Sequence, residues 1–428
     1  MKLLRYDQAD FTEAAARLTG AGSLFDPLIE ERVRAVIANV QTRGDAALLE
    51  LTERFDGVKL TAAQLRVADP APPVSTALRK AIAAAQNNIT AFSRRSLRKN
   101  WRMRNAQGAS VGERFDPFQR VGIYVPGGTA PLVSTAMMTI VLAKVAGCPE
   151  IVVCTPPGRA GAINPNLLYA IRAAGATEIY RVGGSQAIAA LALGTATIDK
   201  VQKIFGPGNA YVVAAKRLLF GHVSVDLLPG PSEVLILADD TADVRFIAAD
   251  MLAQAEHGSG HERVCLVTTS PKVFEAIQPE IQRQLALLNR REFVARALGD
   301  NAACVLVKTL NEAVKLANQF APEHCEIMTK NAARLGAKIK TAGAIFIGPW
   351  SPTVVGDYLA GPSHTLPTGG AGKSFAGLTV DQFQRRTSVV ELSRSALQKS
   401  LASLEQFAAV EGLDAHAASA RVRFAPRK

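Results

Sequence analysis

Four of the six histidines in this 428-residue chain stand in polar, glycine-flanked stretches: His257 in QAEHG, His324 in APEHCEI, His364 in GPSHTLP and His416 in EGLDAH. Imidazole takes up or gives up a proton near neutral pH, and in its neutral form it ligates metals. Gln254 and His257 lie three residues apart at the end of an amphipathic stretch, residues 241–258, in which Val244, Ile247, Ala248, Met251, Leu252 and Ala255 keep helical spacing up to a glycine stop at Gly258. Two readings follow. The pair can share one metal ion or ligand from a single helix face, or it can cap the helix, where histidine is favoured by the negative end of the dipole. In APEHCEI, Pro322 should stop a helix and leave Glu323 and His324 in the loop before a strand. Adjacent carboxylate and imidazole are two proton acceptors of different strength, suited to acid–base work, although such a pair is often only solvated. Asp357 and His364 fall in GDYLAGPSHTLPTGG, a loop stiffened by Pro362 and Pro367, and Glu411 and His416 follow the last long helical stretch. His222 and His261 read as surface residues.

These groups are far apart along the chain, so the elements between them must bring them together. From residue 121 to 226, β-branched runs alternate with helical stretches. VGIYV, EIVVCT, EIYRV, VQKIF and VSVDL read as strands, and PLVSTAMMTIVLAKVAG, NPNLLYAIRAAG and SQAIAALALG as helices ending at glycine. This succession predicts parallel strands with right-handed crossovers. VLILAD, RVCLVTT, ACVLVKT, HCEIMT and AIFIG predict a second α/β block of the same kind. The region before residue 120 reads as mostly helical, and SALQKSLASLEQFAAVEGLDAHAAS as a helical tail.

Three glycine turns follow strands of the first block: Pro126-Gly127-Gly128-Thr129, Gly183-Gly184-Ser185-Gln186 and Gly206-Pro207-Gly208-Asn209. Glycine admits close backbone approach and helix N-termini attract anions, so a phosphate-bearing ligand fits here; tight βα turns also take glycine for steric reasons alone. None is a Gly-x-Gly-x-x-Gly fingerprint, and the second strand ends in Thr155-Pro156-Pro157-Gly158-Arg159, without the acidic residue that usually holds a ribose.

With 48% hydrophobic and 20% charged residues, the composition excludes a disordered or fibrous chain. Asp7, Asp10 and Glu13 interrupt the N-terminus and no apolar run reaches membrane-spanning length, which together predict a cytoplasmic protein without a membrane partner. Five cysteines, odd in number and widely spaced, support neither a disulfide framework nor a thiolate zinc site. The net charge is 49 − 37 = +12. Arg94, Arg95, Arg98, Lys99, Arg102 and Arg104 fall within eleven residues, and spacing of three and four puts several on one helical face. A solvated face explains them better than a nucleic-acid site, because no recognition motif accompanies them.

Taken together, YVPGGTAPLVSTAMM, VGGSQAIAALA, KIFGPGNAYV, DLLPGPSEVLILAD, LAQAEHG, APEHCEI, GDYLAGPSHTLPTGG, RRTSVV and EGLDAH resemble the histidinol dehydrogenase family, from residue 121 almost to the C-terminus. The resemblance implies an α/β fold of two incomplete Rossmann-like parallel-sheet domains, with a helical N-terminal segment and a helical C-terminal tail. It divides the chain into residues 1–20, a domain of 21–120 and 234–376 carrying the chemistry, an NAD domain of 121–233, and a tail of 377–428. It implies oxidation of L-histidinol to L-histidine through the aldehyde, with one Zn2+ per subunit and NAD; a related dehydrogenase for another polar alcohol is the alternative. The metal would be held by Gln254, His257, Asp357 and His416. His324 would act as base and Glu323 would activate water. Tyr124, Gln186 and Asn209 would contact NAD, and Ser232, His364 and Glu411, with the metal ligands and His324, would contact the substrate. The family is a homodimer that exchanges its tail, so Glu411 and His416 would complete the partner subunit's site.

Overall fold

The computed structural model describes residues 1–20, 26–127, 131–257 and 260–426. Gly128, Thr129 and Gly258, singled out above, lie outside the described residues. The chain divides into two units, one of residues 1–96 and 118–383, the other of residues 97–117 and 384–428.

The first unit holds two parallel sheets. One has the strand order Glu178–Arg181, Glu150–Thr155, Arg120–Tyr124, Lys203–Phe205, Ser224–Val225. The other runs Lys2–Arg5, Ala302–Leu306, Arg263–Thr268, Glu233–Ala238, His324–Met328, Ala344–Ile347. If the N-terminal edge strand is set aside, each sheet winds outward from its first strand in the same order, 3-2-1-4-5, so the two blocks share a topology. Apart from Arg120 and Glu233 at their starts, their central strands are apolar, as expected of parallel strands covered on both faces. Arg120–Tyr124 and Glu233–Ala238 are buried at every position.

The helices start and stop where the side chains require. Asn164 accepts hydrogen bonds from the amides of Asn166 and Leu167 at the start of the Pro165–Ala174 helix, and Gly175 ends it in the left-handed region. Gly147 ends the Val133–Ala146 helix in the same way. The helix expected over 241–258 is Val244–Ala255, started by the Asp243 side chain. Among the described residues no helix is long and apolar enough to cross a membrane.

Four strands depart from the helical reading of the chain ends. Lys2–Arg5 is a strand that pairs with Ala302–Leu306, four residues being too few to show a period. The Thr76–Ser96 helix stops before most of the basic cluster, and Trp101–Arg104 is a strand, so the single helical face does not exist. In the second unit that strand and Gln384–Glu391 flank Ser110–Pro117 in an antiparallel sheet, and the helices Arg394–Glu411 and Asp414–Arg421 follow.

Candidate active site

The first unit contains a cleft of ≈ 2430 Å³, larger than one small metabolite needs and roomy enough for a dinucleotide beside a substrate. Its wall combines the carboxyl ends of the five-stranded sheet with the amino ends of the six-stranded one. Tyr124, Gln186 and Asn209 belong to the first set. Ser232, Gln254, His257, Glu323, His324, Asp357 and His364 belong to the second. In the five-stranded sheet this is the expected place, the switch point between strands Arg120–Tyr124 and Lys203–Phe205, whose connections leave in opposite directions. The six-stranded sheet uses its opposite end.

Around the first set the backbone is tightly folded. Gly206 has φ +109, and a Cβ there would stand 2.1 Å from the Tyr124 carbonyl oxygen, so only glycine fits. The Tyr124 hydroxyl accepts a hydrogen bond from the Gly184 amide at 3.1 Å, and burial pushes the phenol up to about 12, leaving it neutral. Gln186 is 1% exposed, and its Nε2 has no hydrogen-bond partner. Asn209 has a structural duty as well: its Oδ1 accepts from the Tyr211 and Val212 amides and starts a helix.

At the second set, Ala321 ends the Leu310–Phe320 helix in the left-handed region at φ +52, a conformation strained for alanine. Pro322 follows, and the chain enters the His324–Met328 strand directly. Glu323 and His324 are therefore held at the mouth of a buried strand, 6% and 2% exposed, instead of on a solvated loop. The Nδ1 of His324 lies 2.9 Å from the Glu233 carbonyl oxygen. A carbonyl only accepts, so Nδ1 carries the hydrogen and the neutral ring has its lone pair on Nε2. That Nε2 faces Asp357 Oδ1 across 3.9 Å. Burial lowers the pKa of His324 and the Asp357 carboxylate opposes it, so the ring stays neutral and able to accept a proton. Glu323 Oε2 accepts a hydrogen bond from the Glu233 amide at 2.8 Å. Burial nevertheless drives Glu323 up to about 8, with Glu233 and Asp357 adding to the shift and His257 opposing it.

His364 turns toward the same point. Its Nε2 is buried without a partner, burial lowers its pKa, and Asp357, His257 and His324 all lie within its electrostatic reach. Gln254 is 2% exposed and its Nε2 likewise has no partner. It sits in the last turn of its helix, and His257 follows just beyond the helix end.

Glu411 ends the Arg394–Glu411 helix and His416 lies in the Asp414–Arg421 helix; both are exposed and both belong to the second unit. Among the described residues no three His, Cys, Asp or Glu side chains form a metal cluster. Gln254, His257 and Asp357 supply amide oxygen, imidazole and carboxylate, a donor set that fits a zinc-like divalent ion once a further ligand joins. Gln254 lies desolvated at the cleft, 2% exposed, and its Oε1 is the amide atom able to ligate a cation, while its unpartnered Nε2 needs an acceptor.

Sequence reasoning missed Glu233. Its backbone orients both Glu323 and His324, and its carboxylate, 1% exposed, pairs with Arg263 Nη1 at 2.8 Å. A charged residue opening the otherwise apolar EVLILA strand was the available signal. All five cysteines are buried and unpaired, and burial pushes the Cys325 thiol up to about 12, so it is no nucleophile beside His324.

A family model described as histidinol dehydrogenase matches residues 23–424. A relative named histidinol dehydrogenase from Heliobacterium mobile is 43% identical over 432 residues, covering 99% of each chain. One of the same name from Geobacillus kaustophilus is 46% identical over 402 residues, 92% of this chain and 94% of its own. The crystal structure of histidinol dehydrogenase from Elizabethkingia anophelis superposes with a TM-score of 0.93 at 34% identity, covering 99% of this chain and 98% of that one.

Proposed function

The chain belongs to the histidinol dehydrogenase family, and we propose that it oxidises L-histidinol to L-histidine in two successive NAD-linked steps through the aldehyde. When bound, NAD would supply the hydride acceptor for both oxidations and a zinc-like divalent ion would supply a Lewis-acid anchor for the substrate. The chain's own residues then divide the work. Gln254, His257 and Asp357, with His416 of the partner subunit, would hold the ion. His324 Nε2 accepts the hydroxyl proton as the alcohol is oxidised. Glu323, as carboxylate, takes a proton from the water that hydrates the aldehyde, and His324 serves again as base when the hydrate is oxidised. Ser232, His364 and the partner's Glu411 contact the substrate, and Tyr124, Gln186 and Asn209 hold the dinucleotide.

The observation that carries this reading is the arrangement of His324: Nδ1 tied to the Glu233 carbonyl, Nε2 unprotonated and open to the cleft opposite Asp357, with Glu323 alongside. The buried, unpartnered Gln186 Nε2 supports the assignment on the dinucleotide side, where a ligand acceptor would meet it. We further read residues 121–233 as the NAD domain, residues 21–120 and 234–376 as the domain carrying the chemistry, and the tail as exchanged within a homodimer. Purified protein with zinc, NAD and L-histidinol should form two NADH per substrate consumed, and a chelator should abolish this. Turnover of a different alcohol in its place would reject the assignment.

A further inference from the structure

Two buried carboxyl groups outside the proposed machinery meet beside it. Glu326 is 1% exposed in the middle of the His324–Met328 strand, and Asp250 is 8% exposed within the Val244–Ala255 helix. Strand alternation sends Cys325 and Ile327 into the core on one face of the sheet. Glu326 points to the other face, where Ile247 and Met251 of the helix pack. There the Asp250 and Glu326 carboxyl groups are neighbours, each close enough to act on the other. Glu326 Oε2 is buried with no hydrogen-bond partner, and a proton shared with the adjacent Asp250 carboxyl would supply its donor. The remaining oxygen, Oε1, accepts the Thr353 amide at 2.8 Å. Thr353 is the first residue of the Thr353–Tyr358 helix.

Each member of this group stands one structural repeat from a site residue. Asp250 lies one helical turn before Gln254, Glu326 two residues after His324 on the same strand face, and Thr353 one turn before Asp357. We propose that Asp250, Glu326 and the Thr353 amide form a proton-sharing clamp that fixes the spacing of Gln254, His324 and Asp357. These are positioning residues: none needs to touch substrate or metal. The clamp ties three elements together at the point where small displacements would cost a metal site its geometry. The flanking strands offer it only the uncharged Ile236 and Phe346 in register with Glu326. This inference rests on the proposed roles of Gln254, Asp357 and His324.

Three variants separate a clamp from mere packing. Glu326→Gln keeps an amide–carboxyl hydrogen bond to Asp250 and an acceptor for Thr353. Glu326→Leu fills the volume and removes both bonds. Thr353→Pro removes the amide donor together with the threonine hydroxyl, at a first helical position where proline is tolerated, after a Pro352 whose ψ of 151 suits a following proline. Zinc affinity of the full-length protein is measured by chelator competition, and kcat and KM for L-histidinol alongside. Glu326→Leu and Thr353→Pro should weaken zinc binding and raise KM by about tenfold or more, while Glu326→Gln stays within about threefold of wild type. Wild-type zinc affinity and KM in Thr353→Pro would overturn the clamp, as would equal damage from Gln and Leu. Thr353→Pro decides alone if Glu326→Leu does not fold. Zinc titration requires no turnover, so it still judges the clamp if wild-type protein proves inactive on histidinol and the proposed function falls.

Discussion

Glu323 and His324 are neighbours in sequence, yet burial acts on them in opposite chemical directions: it makes the acid hard to ionise and the base hard to protonate. At neutral pH His324 is ready to accept a proton and Glu323 is largely uncharged. His324→Asn should therefore lower kcat by about 10²–10⁴ with zinc content unchanged, measured by NADH formation and metal analysis on the same preparation. Glu323→Gln should slow aldehyde oxidation far more than alcohol oxidation when each substrate is supplied separately; equal damage would remove the division of labour. The wild-type aldehyde step should quicken with rising pH through an apparent pKa at or below about 8, because a bound cation favours the carboxylate. The stability consequence has the opposite sign to an ordinary ion-paired carboxylate. The folded-state value near 8 lies above the usual 4.5, so native protein holds the extra proton between them and loses stability as pH rises through that window. In metal-stripped protein, Glu323→Gln should gain on wild type across that range, by on the order of a few kcal/mol at about pH 9, read by thermal or denaturant unfolding.

At the scale of elements, the turn after Lys203–Phe205 shows how a backbone shape is enforced. Lys216, wholly buried, donates to the Gly206 and Leu227 carbonyls at 3.0 and 2.7 Å and pairs with the Asp226 carboxylate. Asp226 Oδ2 in turn accepts the Gly206 amide at 2.8 Å. One buried ion pair thus pins both backbone groups of the glycine that closes on Tyr124. Lys216→Met should cost about 3–5 kcal/mol in denaturant unfolding, because Asp226 is left charged and unpaired, and Lys216→Met with Asp226→Leu should recover much of it. Dinucleotide affinity should fall with the single change, as the turn loosens. These elements were legible at different levels. The ten strands of the two α/β blocks announce themselves through apolar β-branched runs, and the helices through glycine and asparagine at their ends. The Lys2–Arg5 and Trp101–Arg104 strands do not, because four residues cannot distinguish a period of two from one of 3.6 when charged groups fill half of them.

The whole molecule adds a question of stoichiometry. If the tail of one subunit completes the site of the other, His416→Asn lowers zinc content as well as rate, and two inactive variants can complement. Co-refolding equal amounts of His324→Asn and His416→Asn should restore about a quarter of wild-type activity, because half the dimers are mixed and each carries one intact site. No recovery would mean that each tail serves its own subunit. The residue types, their local company and the order of strands and helices were all readable along the chain, since each depends on neighbours within a few turns. The family resemblance supplied roles that spacing left open between ligand and cap, or base and solvated pair. Burial was not readable. That Glu323 sits at the mouth of a sealed strand, that the Glu233 carbonyl selects the His324 tautomer, and that Asp250 meets Glu326 all depend on contacts between segments some 75 to 90 residues apart. Desolvation and hydrogen-bond geometry set the reactivity of these groups, and both come into being only when the sheets close.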